Sequence, residues 1–332
     1  MRVIVVNPEA KRLRQNRRIR QLVRDRFSKY AHIIDISGAD KVIGALDALS
    51  QKHTVDFVYV VGGDGTFNNV LNWIAALQPE LRPALISVGG GQFCYMTKFH
   101  GLPSKDPIKN LAGIFSNKIK LDWKNWQPVC VHDSVTNTKR YAAVVAGGVI
   151  SDILQWYENV GKGGFFRVLQ IIIMAALSVA SDTIRKLHGR LKIVDGEMIL
   201  GTAICTKKSF VGFAFSTIPK LLASCQPFGG IPNMGEYYSA AYWGGWRSLA
   251  LASPFVWFGL VPFWIKRKSY NQPIRTAIIR MSDTRLVLDG DVYVWPESTK
   301  QGPEKQNSEK RTLTFTIGET IALMVVEKQN SN

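Results

Sequence analysis

One short segment constrains the fold of this chain more than any other, because an apolar run ends there in a glycine-rich turn. Val58–Val61 reads Val-Tyr-Val-Val, and Gly62–Thr66 follows at once as Gly-Gly-Asp-Gly-Thr. A short run rich in β-branched residues predicts a buried strand. Glycines after a strand let the backbone approach phosphate oxygens, and a following helix adds the positive end of its dipole. The segment therefore predicts a phosphate-binding turn at a strand end of a parallel sheet.

The predicted secondary structure changes near residue 125, from alternating strands and helices to mainly strands. Before that point, apolar runs such as Arg2–Val6, His32–Ile36 and Phe57–Val61 alternate with helical stretches, which predicts βαβ units and a doubly wound parallel sheet over residues 1–125. Residues 126–332 contain spaced β-like runs, which predict an antiparallel β-sandwich domain with helical insertions. These runs are Pro128–His132, Tyr141–Val145, Leu191–Val194, Thr202–Cys205, Thr276–Met281, Leu286–Leu288, Leu313–Ile317 and Ile321–Val326.

Two apolar segments, near residues 165–182 and 247–266, interrupt the second domain. Within the later one, Leu249–Ile265 carries no charge and runs directly into Lys266–Lys268. It is shorter than the roughly 20 residues of a spanning helix and it contains prolines. We therefore expect a broken pair of interfacial helices, with a helix buried in the core as the alternative.

The charge of the chain indicates an anionic partner. Forty-two Lys and Arg residues against 25 Asp and Glu residues give a net charge of +17, which suits nucleotide phosphates, nucleic acid or an acidic bilayer. No helix-turn-helix or RNA-binding signature is present, so nucleic acid is not expected. A basic run follows the first strand, and a solvated helix face, triphosphate contact and headgroup contact all remain open for it. Its members are Lys11, Arg12, Arg14, Arg17, Arg18, Arg20, Arg24 and Arg26.

Cysteine usage and the first residues indicate a reducing compartment. The four cysteines are far apart and form no CxxC pair, so neither a zinc site nor a disulfide framework is expected. The apolar run after Met1 lacks the length and cleavage signal of a secretory leader. We expect a cytoplasmic protein.

Five elements resemble, in the same order, the diacylglycerol kinase catalytic family, which includes sphingosine and ceramide kinases. The Gly62–Thr66 turn alone also occurs in NAD kinases, so the other four elements are needed to narrow the resemblance. These are Asn7-Pro8, the glycine loop Gly89–Gln92, the stretch Leu121–Trp123 and the triplet Asp289–Asp291. The resemblance covers nearly the whole chain, most clearly to about Asp122. Two departures are Phe93, where many members have Asp, and Asp291, where the family has Glu.

The resemblance implies an ATP-dependent lipid kinase that uses Mg²⁺ and transfers the γ-phosphoryl group to a lipid hydroxyl. It implies that Asp289 is the general base and that Asp64 acts in catalysis and binds the metal together with Asp122. A second Asp-Gly pair, Asp195-Gly196, lies mid-domain and is interpreted as a hairpin turn. The residues implied to bind the nucleotide are Asn7, Gly62, Gly63, Gly65, Thr66, Gly89, Gly90, Gly91 and Gln92.

The expected partners are a membrane lipid substrate and an anionic membrane surface, with peripheral association at the inner face of the membrane. A homodimer is possible, and diacylglycerol, a sphingoid base and ceramide all remain open as acceptors. Two competing functions are considered. An NAD kinase-like enzyme would share the glycine turn, and a lipid-binding regulatory pseudokinase would account for Phe93 and the altered glycine loop.

Overall fold

The computed structural model describes residues 1–91, 94–159, 194–201, 203–205, 209–221, 225–282, 285–295 and 310–327. Gln92, Phe93 and the apolar segment near residues 165–182 lie outside the described residues. The chain forms two compact units, of which the first contains Met1–Gln127 and Glu319–Asn332 and the second contains Pro128–Gly318.

A six-stranded sheet forms the centre of the first unit. Its strands are β1 (Arg2–Val6), β2 (His32–Asp35), β3 (Phe57–Gly62), β4 (Ala84–Gly90), β5 (Leu121–Trp126) and β19 (Ile321–Val326). The spatial order is β2-β1-β3-β4-β19-β5, and all neighbours are parallel except β19 and β5. The ends of β1, β3 and β4 therefore lie side by side at one edge of the sheet.

Helices cover both faces of this sheet, which confirms the doubly wound α/β prediction. Val23 and Phe27 pack with Leu111 and Ile114 against one face of the central strands. The helices are α1 (Lys11–Gln15), α2 (Arg18–Phe27), α3 (Ala39–Ser50), α4 (Asp64–Ala76), α5 (Tyr95–Phe99) and α6 (Pro107–Phe115), with a 3₁₀ turn at Pro79–Leu81.

The last strand belongs to a different sheet from the one that the sequence analysis expected. Residues 319–332 were assigned to the second domain with the rest of the C-terminal half, but β19 pairs with β4 and β5 of the first unit. Leu323 lies beside Leu85, far away in the sequence. Such a pairing depends on the tertiary fold and leaves no local pattern in the chain.

Two antiparallel sheets form the second unit, as predicted. The first has the order β10-β9-β15-β18-β6-β7, with β11 also paired to β9, and the second has the order β14-β13-β12-β8-β16-β17. In chain order the strands are β6 (Val129–Asp133), β7 (Thr138–Ala142), β8 (Val144–Gly148), β9 (Val194–Leu200), β10 (Ala203–Cys205), β11 (Ser209–Phe210), β12 (Gly212–Ser216), β13 (Tyr238–Tyr242), β14 (Ser269–Tyr270), β15 (Thr276–Met281), β16 (Arg285–Leu288), β17 (Asp291–Val294) and β18 (Arg311–Ile317).

The two sheets of this unit share one aromatic-rich core. Phe215 of β12 and Phe315 of β18 lie edge to face with ring centroids 4.9 Å apart, and both side chains are fully buried. Three described helices belong to the unit, namely α7 (Val149–Asn159), α8 (Trp246–Trp257) and α9 (Phe263–Lys266). No helix among the described residues is long and apolar enough to cross a membrane.

The interpretation of Asp195-Gly196 as a hairpin turn is wrong, because both residues lie inside β9. Gly196 pairs there with Met281, and a Cβ at this position would lie 2.4 Å from the Arg280 carbonyl oxygen. The glycine is needed because the neighbouring strand passes so closely. A local Asp-Gly pattern cannot distinguish this packing from a turn.

Candidate functional site

The glycine-rich turn joins β3 to α4, as the sequence predicts. Gly62 ends the strand, Gly63 is extended with φ −88° and ψ −179°, and the helix begins at Asp64 without a side-chain cap. The first helical hydrogen bond runs from the Phe67 N–H to the Gly63 carbonyl at 3.1 Å. The backbone N–H groups between Gly63 and Phe67 lie before this first bond, at the positive end of the helix dipole. This arrangement suits an anion.

Asn7 lies at the turn, and its side chain is held there by protein atoms. Its backbone N–H donates to the Val61 carbonyl at 3.0 Å, and its Nδ2 donates to Thr66 Oγ1 at 2.8 Å. Its Oδ1 accepts from the Glu9 N–H at 3.0 Å. The structure therefore brings Asn7 and Thr66 together, and it gives Asn7 the role of joining the end of β1 to the start of α4.

The second glycine loop, at the end of β4, packs directly against the first. Gly89 and Gly90 have φ values of 104° and 114°, which favour glycine. A Cβ at Gly91 would lie only 2.5 Å from Gly63 Cα, and one at Gly89 would lie 2.7 Å from the Lys105 carbonyl oxygen. These glycines are needed for backbone packing. Gly63 differs, since a Cβ there would meet nothing closer than Gly91 Cα at 3.7 Å.

Asp64 links the start of α4 to α5, the helix that follows the second glycine loop, through a hydrogen bond. Its Oδ1 accepts from the Met96 N–H at the start of α5 at 3.2 Å, and the residue is 8% exposed. Burial and then the negative charge of Asp64 raise the pKa of the nearby Cys94 thiol, while the cations Lys105 and Arg12 act in the opposite direction. The thiol is therefore neutral near pH 7. Lys105 also lies beside the second glycine loop, because its carbonyl oxygen is 2.7 Å from the place of a Cβ at Gly89.

Sequence reasoning missed two residues at this edge. Lys105 was not singled out, because a lone lysine in a loop carries no pattern. Asn110 is fully buried, and its Nδ2 donates to the carbonyls of Val88 at 2.8 Å and Ser104 at 2.7 Å. It thus fastens the loop that carries Lys105 to the end of β4. An asparagine within a helix gives no sign of this role.

Asp122 lies on β5, at the edge of the sheet. The strands β4 and β19 separate it from β3, so the structure does not place it on a strand next to that of Asp64. Asp122 is exposed, and its Oδ1 accepts from the N–H of Trp123 at 2.7 Å. Within the described residues, no group of three or more His, Cys, Asp or Glu side chains could hold a metal ion. A magnesium ion fits this edge only if nucleotide phosphates supply most of its oxygen ligands, with one or two carboxylates added.

A cationic cavity of about 470 Å³ adjoins the glycine loops. Arg20 and Arg24 both contact the Asp35 carboxylate, at 2.5 and 2.8 Å, which neutralises part of their charge. Leu13 connects the cavity with the loops, since a Cβ at Gly90 would lie 2.8 Å from Leu13 Cδ1. The lining residues are Pro8, Glu9, Leu13, Arg14, Arg17, Arg20, Gln21 and Arg24.

Asp289 lies in the second unit, in the tight turn between β16 and β17. Asp289 and Gly290 have φ values of 52° and 91°, so they form the two-residue Asp-Gly turn of this hairpin. The Asp289 carboxylate is 1% exposed and accepts from the N–H groups of Val144 at 2.8 Å and Ala143 at 3.2 Å. Asp291, the next carboxylate in the turn, is exposed.

Comparisons with known proteins agree with this architecture. Residues 2–121 match the family described as the diacylglycerol kinase catalytic domain. A comparison with curated proteins found no match. Among solved structures, a protein of Bacillus anthracis str. Sterne, provisionally named a diacylglycerol kinase, is similar with a TM-score of 0.66 and 12% identity, over 98% of this chain and 95% of that one.

Two further crystal structures from the same organism are also similar. One of a protein named a diacylglycerol kinase has a TM-score of 0.59 at 12% identity, over 98% of this chain and 96% of that one. The other, of a protein with the provisional form of that name, has a TM-score of 0.64 at 13% identity with the same coverage of 98% and 96%. At such low identity these similarities establish the fold.

Proposed function

We propose that the protein is an ATP-dependent lipid kinase that phosphorylates a hydroxyl of a membrane lipid, because residues 2–121 match the diacylglycerol kinase catalytic domain family. The observation that carries the proposal is the glycine-rich turn at the start of α4. Gly63 and Gly65 are only half-buried there, and the cations Arg12 and Lys105 lie nearby. Uncapped backbone N–H groups and cations together are suited to the phosphates of a nucleotide.

The residues of the first unit would hold the nucleotide in the following way. The N–H groups at the start of α4 donate to phosphate oxygens, and Arg12 and Lys105 offset their charge. Asp64 joins the start of α4 to the start of α5 through the Met96 N–H. When Mg²⁺ is bound with the nucleotide, it neutralises charge that develops on the phosphates. Asp64 is the proposed protein ligand, and Asp122 is kept as a second candidate.

The acceptor hydroxyl must lose its proton to a carboxylate during transfer. The turn at β16 and β17 offers two. Both oxygens of Asp289 accept backbone N–H groups, and the side chain is almost fully buried. The exposed Asp291 is more suited to receive a proton. We therefore assign the base to Asp291 and a positioning role to Asp289, in contrast to the sequence-based expectation that Asp289 itself is the base.

The proposed acceptor is a lipid alcohol of the diacylglycerol, sphingoid-base or ceramide class. The names of the similar structures favour diacylglycerol, and the family resemblance keeps the other two. Peripheral association with the inner, anionic face of a membrane belongs to the same proposal, as does a homodimer. The net charge of +17 supports the association with an anionic membrane surface.

The test is transfer of labelled γ-phosphate from ATP with Mg²⁺ to a panel of dispersed lipids, with NAD as a parallel acceptor. We expect label in one chloroform-soluble product. Asp64→Asn keeps an oxygen for the Met96 N–H but removes the charge, so transfer should fall by roughly 100-fold or more. Asp25→Asn, an exposed carboxylate on α2, is the matched control and should be fully active. Label in NAD alone, or an Asp64→Asn variant as active as the control, would overturn the proposal.

The same assay separates the two carboxylates of the turn. Asp291→Asn should abolish transfer while the protein stays folded. Asp289→Asn keeps one oxygen acceptor for its two N–H partners and should lower both stability and activity moderately. If Asp289→Asn is inactive at full stability while Asp291→Asn is active, the base is Asp289.

A further inference from the structure

Helices α8 and α9 of the second unit expose an apolar surface to solvent. Phe258 is 77% exposed and Phe263 is 82% exposed, although most large apolar residues of the unit lie in its core. This α8–α9 surface consists of Leu251, Phe255, Phe258, Leu260, Phe263 and Trp264. Contiguous exposed apolar side chains of this size mark an interaction surface.

The opposite side of the same two helices is anchored in the unit. Ala252 of α8 and Ile265 of α9 are buried, and they pack with Val149, Val211 and Tyr242. The helices are therefore neither a detached anchor nor a core element. One face of this pair of helices is buried in the unit, and the opposite face is exposed to solvent.

Three aromatic rings of the α8–α9 surface contact one another. Trp264 contacts Phe255 and Phe263 edge to face, with ring centroids 5.7 and 5.3 Å away. Gly259 permits the tight turn between the helices, with φ 81°. A surface with rings fixed in this way loses little side-chain entropy on binding.

Cations border the apolar surface, and acidic residues are missing from it. Lys266 ends α9, Arg267 and Lys268 follow it, and all three are exposed. The sequence from Gly245 to Lys268 contains no Asp or Glu. Aromatic side chains next to exposed cations fit the boundary between acyl chains and anionic headgroups. The loop after Gln226 adjoins Gly259. Further along the chain, Ile231 and Met234 are exposed as well.

We propose that the α8–α9 surface inserts into the headgroup region of an anionic bilayer and so brings the protein to its lipid substrate. A second copy of the chain is a less suitable occupant, because symmetric pairing would bring two basic clusters together. Helix α8 has 12 residues and α9 has 4, against the roughly 20 of a spanning helix, so the proposed insertion is shallow. The choice of a bilayer rests on the proposed function, but the binding itself can be measured without nucleotide or catalysis.

The experiment is flotation of the full-length protein with phosphatidylcholine vesicles that contain or lack phosphatidylglycerol. Wild type should bind the anionic vesicles, and Phe258→Ser/Phe263→Ser should weaken partitioning by roughly 100-fold, about tenfold for each ring. The matched control is Leu81→Ser/Val135→Ser, which removes two apolar residues that are 57% and 52% exposed elsewhere. Its binding should equal that of wild type.

A second variant tests the basic border. The triple change Lys266→Gln/Arg267→Gln/Lys268→Gln should weaken binding to anionic vesicles by roughly 100-fold and leave binding to neutral vesicles unchanged. Its control is Lys41→Gln/Lys52→Gln/Lys118→Gln, three exposed lysines of the first unit. Equal effects of the two triple changes would show that only the overall charge matters and would overturn the proposal.

Three outcomes have distinct meanings. Wild type that fails to float with anionic vesicles, or a double variant that floats like wild type, contradicts the inference. If the wild type is a dimer in solution and the double variant is a monomer, the surface serves self-association, and this result also contradicts the inference. Vesicle binding without phosphorylation of any lipid refutes the proposed function but leaves the inference standing.

Activity measurements with folded variants complete the test. Phe258→Ser/Phe263→Ser should phosphorylate a short-chain, monomerically dispersed acceptor at the wild-type rate but a vesicle-embedded acceptor at least tenfold more slowly. Loss of both activities together would place these residues in the catalytic machinery and would refute a docking role. Circular dichroism and thermal unfolding confirm that the variant is folded.

Discussion

Replacing Gly63 by alanine separates the two reasons for a glycine in the turn, the fold and the ligand. A Cβ at Gly63 would lie 3.7 Å from Gly91 Cα, an ordinary van der Waals contact, and the backbone φ of −88° suits alanine. We therefore expect the free energy of unfolding to change by no more than about 0.5 kcal/mol.

Nucleotide binding should respond far more strongly than stability. A phosphate that reaches the N–H groups at the start of α4 would meet the new methyl group and lose at least one charge-assisted hydrogen bond. Such a bond contributes about 1.5–3 kcal/mol. The dissociation constant for ATP should therefore rise by roughly 10- to 150-fold. Isothermal titration calorimetry measures this change, and urea unfolding measures stability on the same preparation.

The control is Gly44→Ala, the same substitution within α3 at a position where a Cβ would meet nothing within 4 Å. It should stabilise the helix by about 0.5–1 kcal/mol and leave ATP binding unchanged. If Gly63→Ala binds ATP as tightly as wild type, phosphate does not approach this turn. If it unfolds as easily as a core variant, the glycine is structural and the reasoning from the 3.7 Å contact is wrong.

Two further predictions concern the packing around the site. Gly91→Ala places a Cβ 2.5 Å from Gly63 Cα, so the loops must separate and unfolding should become easier by about 1–3 kcal/mol; stability equal to Gly63→Ala would contradict this. Burial lowers the pKa of His100 from 6.5 to about 4 while its Nδ1 bonds the Met324 carbonyl, so the unfolded chain binds the proton more readily than the folded one. The free energy of unfolding, measured with urea, should therefore fall by about 2 kcal/mol as the pH is lowered from about 7.5 to 5. His100→Asn should remove this part of the pH dependence. Parallel pH profiles for wild type and variant would refute the assignment to His100.

Local patterns in the sequence predicted the parts of the fold that depend on neighbouring residues. β-Branched runs identified β1 and β3, and the glycines after β3 identified the turn and the start of α4. Strands such as Thr276–Met281 and Ile321–Val326 were also predicted with the bounds that the structure has. These elements depend on side-chain pattern and on the backbone freedom of glycine, and both properties can be read from a few neighbouring residues.

The order of several motifs along the chain predicted the candidate site better than any single motif. Asn7 and the two glycine loops were expected together, and the structure places them at one edge of the sheet. Their individual roles were not visible. The hydrogen bond from Asn7 to Thr66, and the close approach of Gly91 to Gly63, depend on how β1, β3 and β4 align.

Tertiary structure alone decided the remaining features, because each depends on contacts between distant parts of the chain. β19 joins the first sheet beside β4, and Lys105 and Asn110 reach the glycine loops from another segment. Of the two Asp-Gly pairs, Asp195-Gly196 is enclosed by neighbouring strands and Asp289-Gly290 closes a hairpin, a difference that depends on the strands around each pair. The amino-acid sequence determined which groups are present, a glycine-rich turn after a strand and an apolar segment next to cations, because those properties belong to the residues themselves. Which side chains meet, and which apolar face meets solvent, is a property of packing and was decided by the fold.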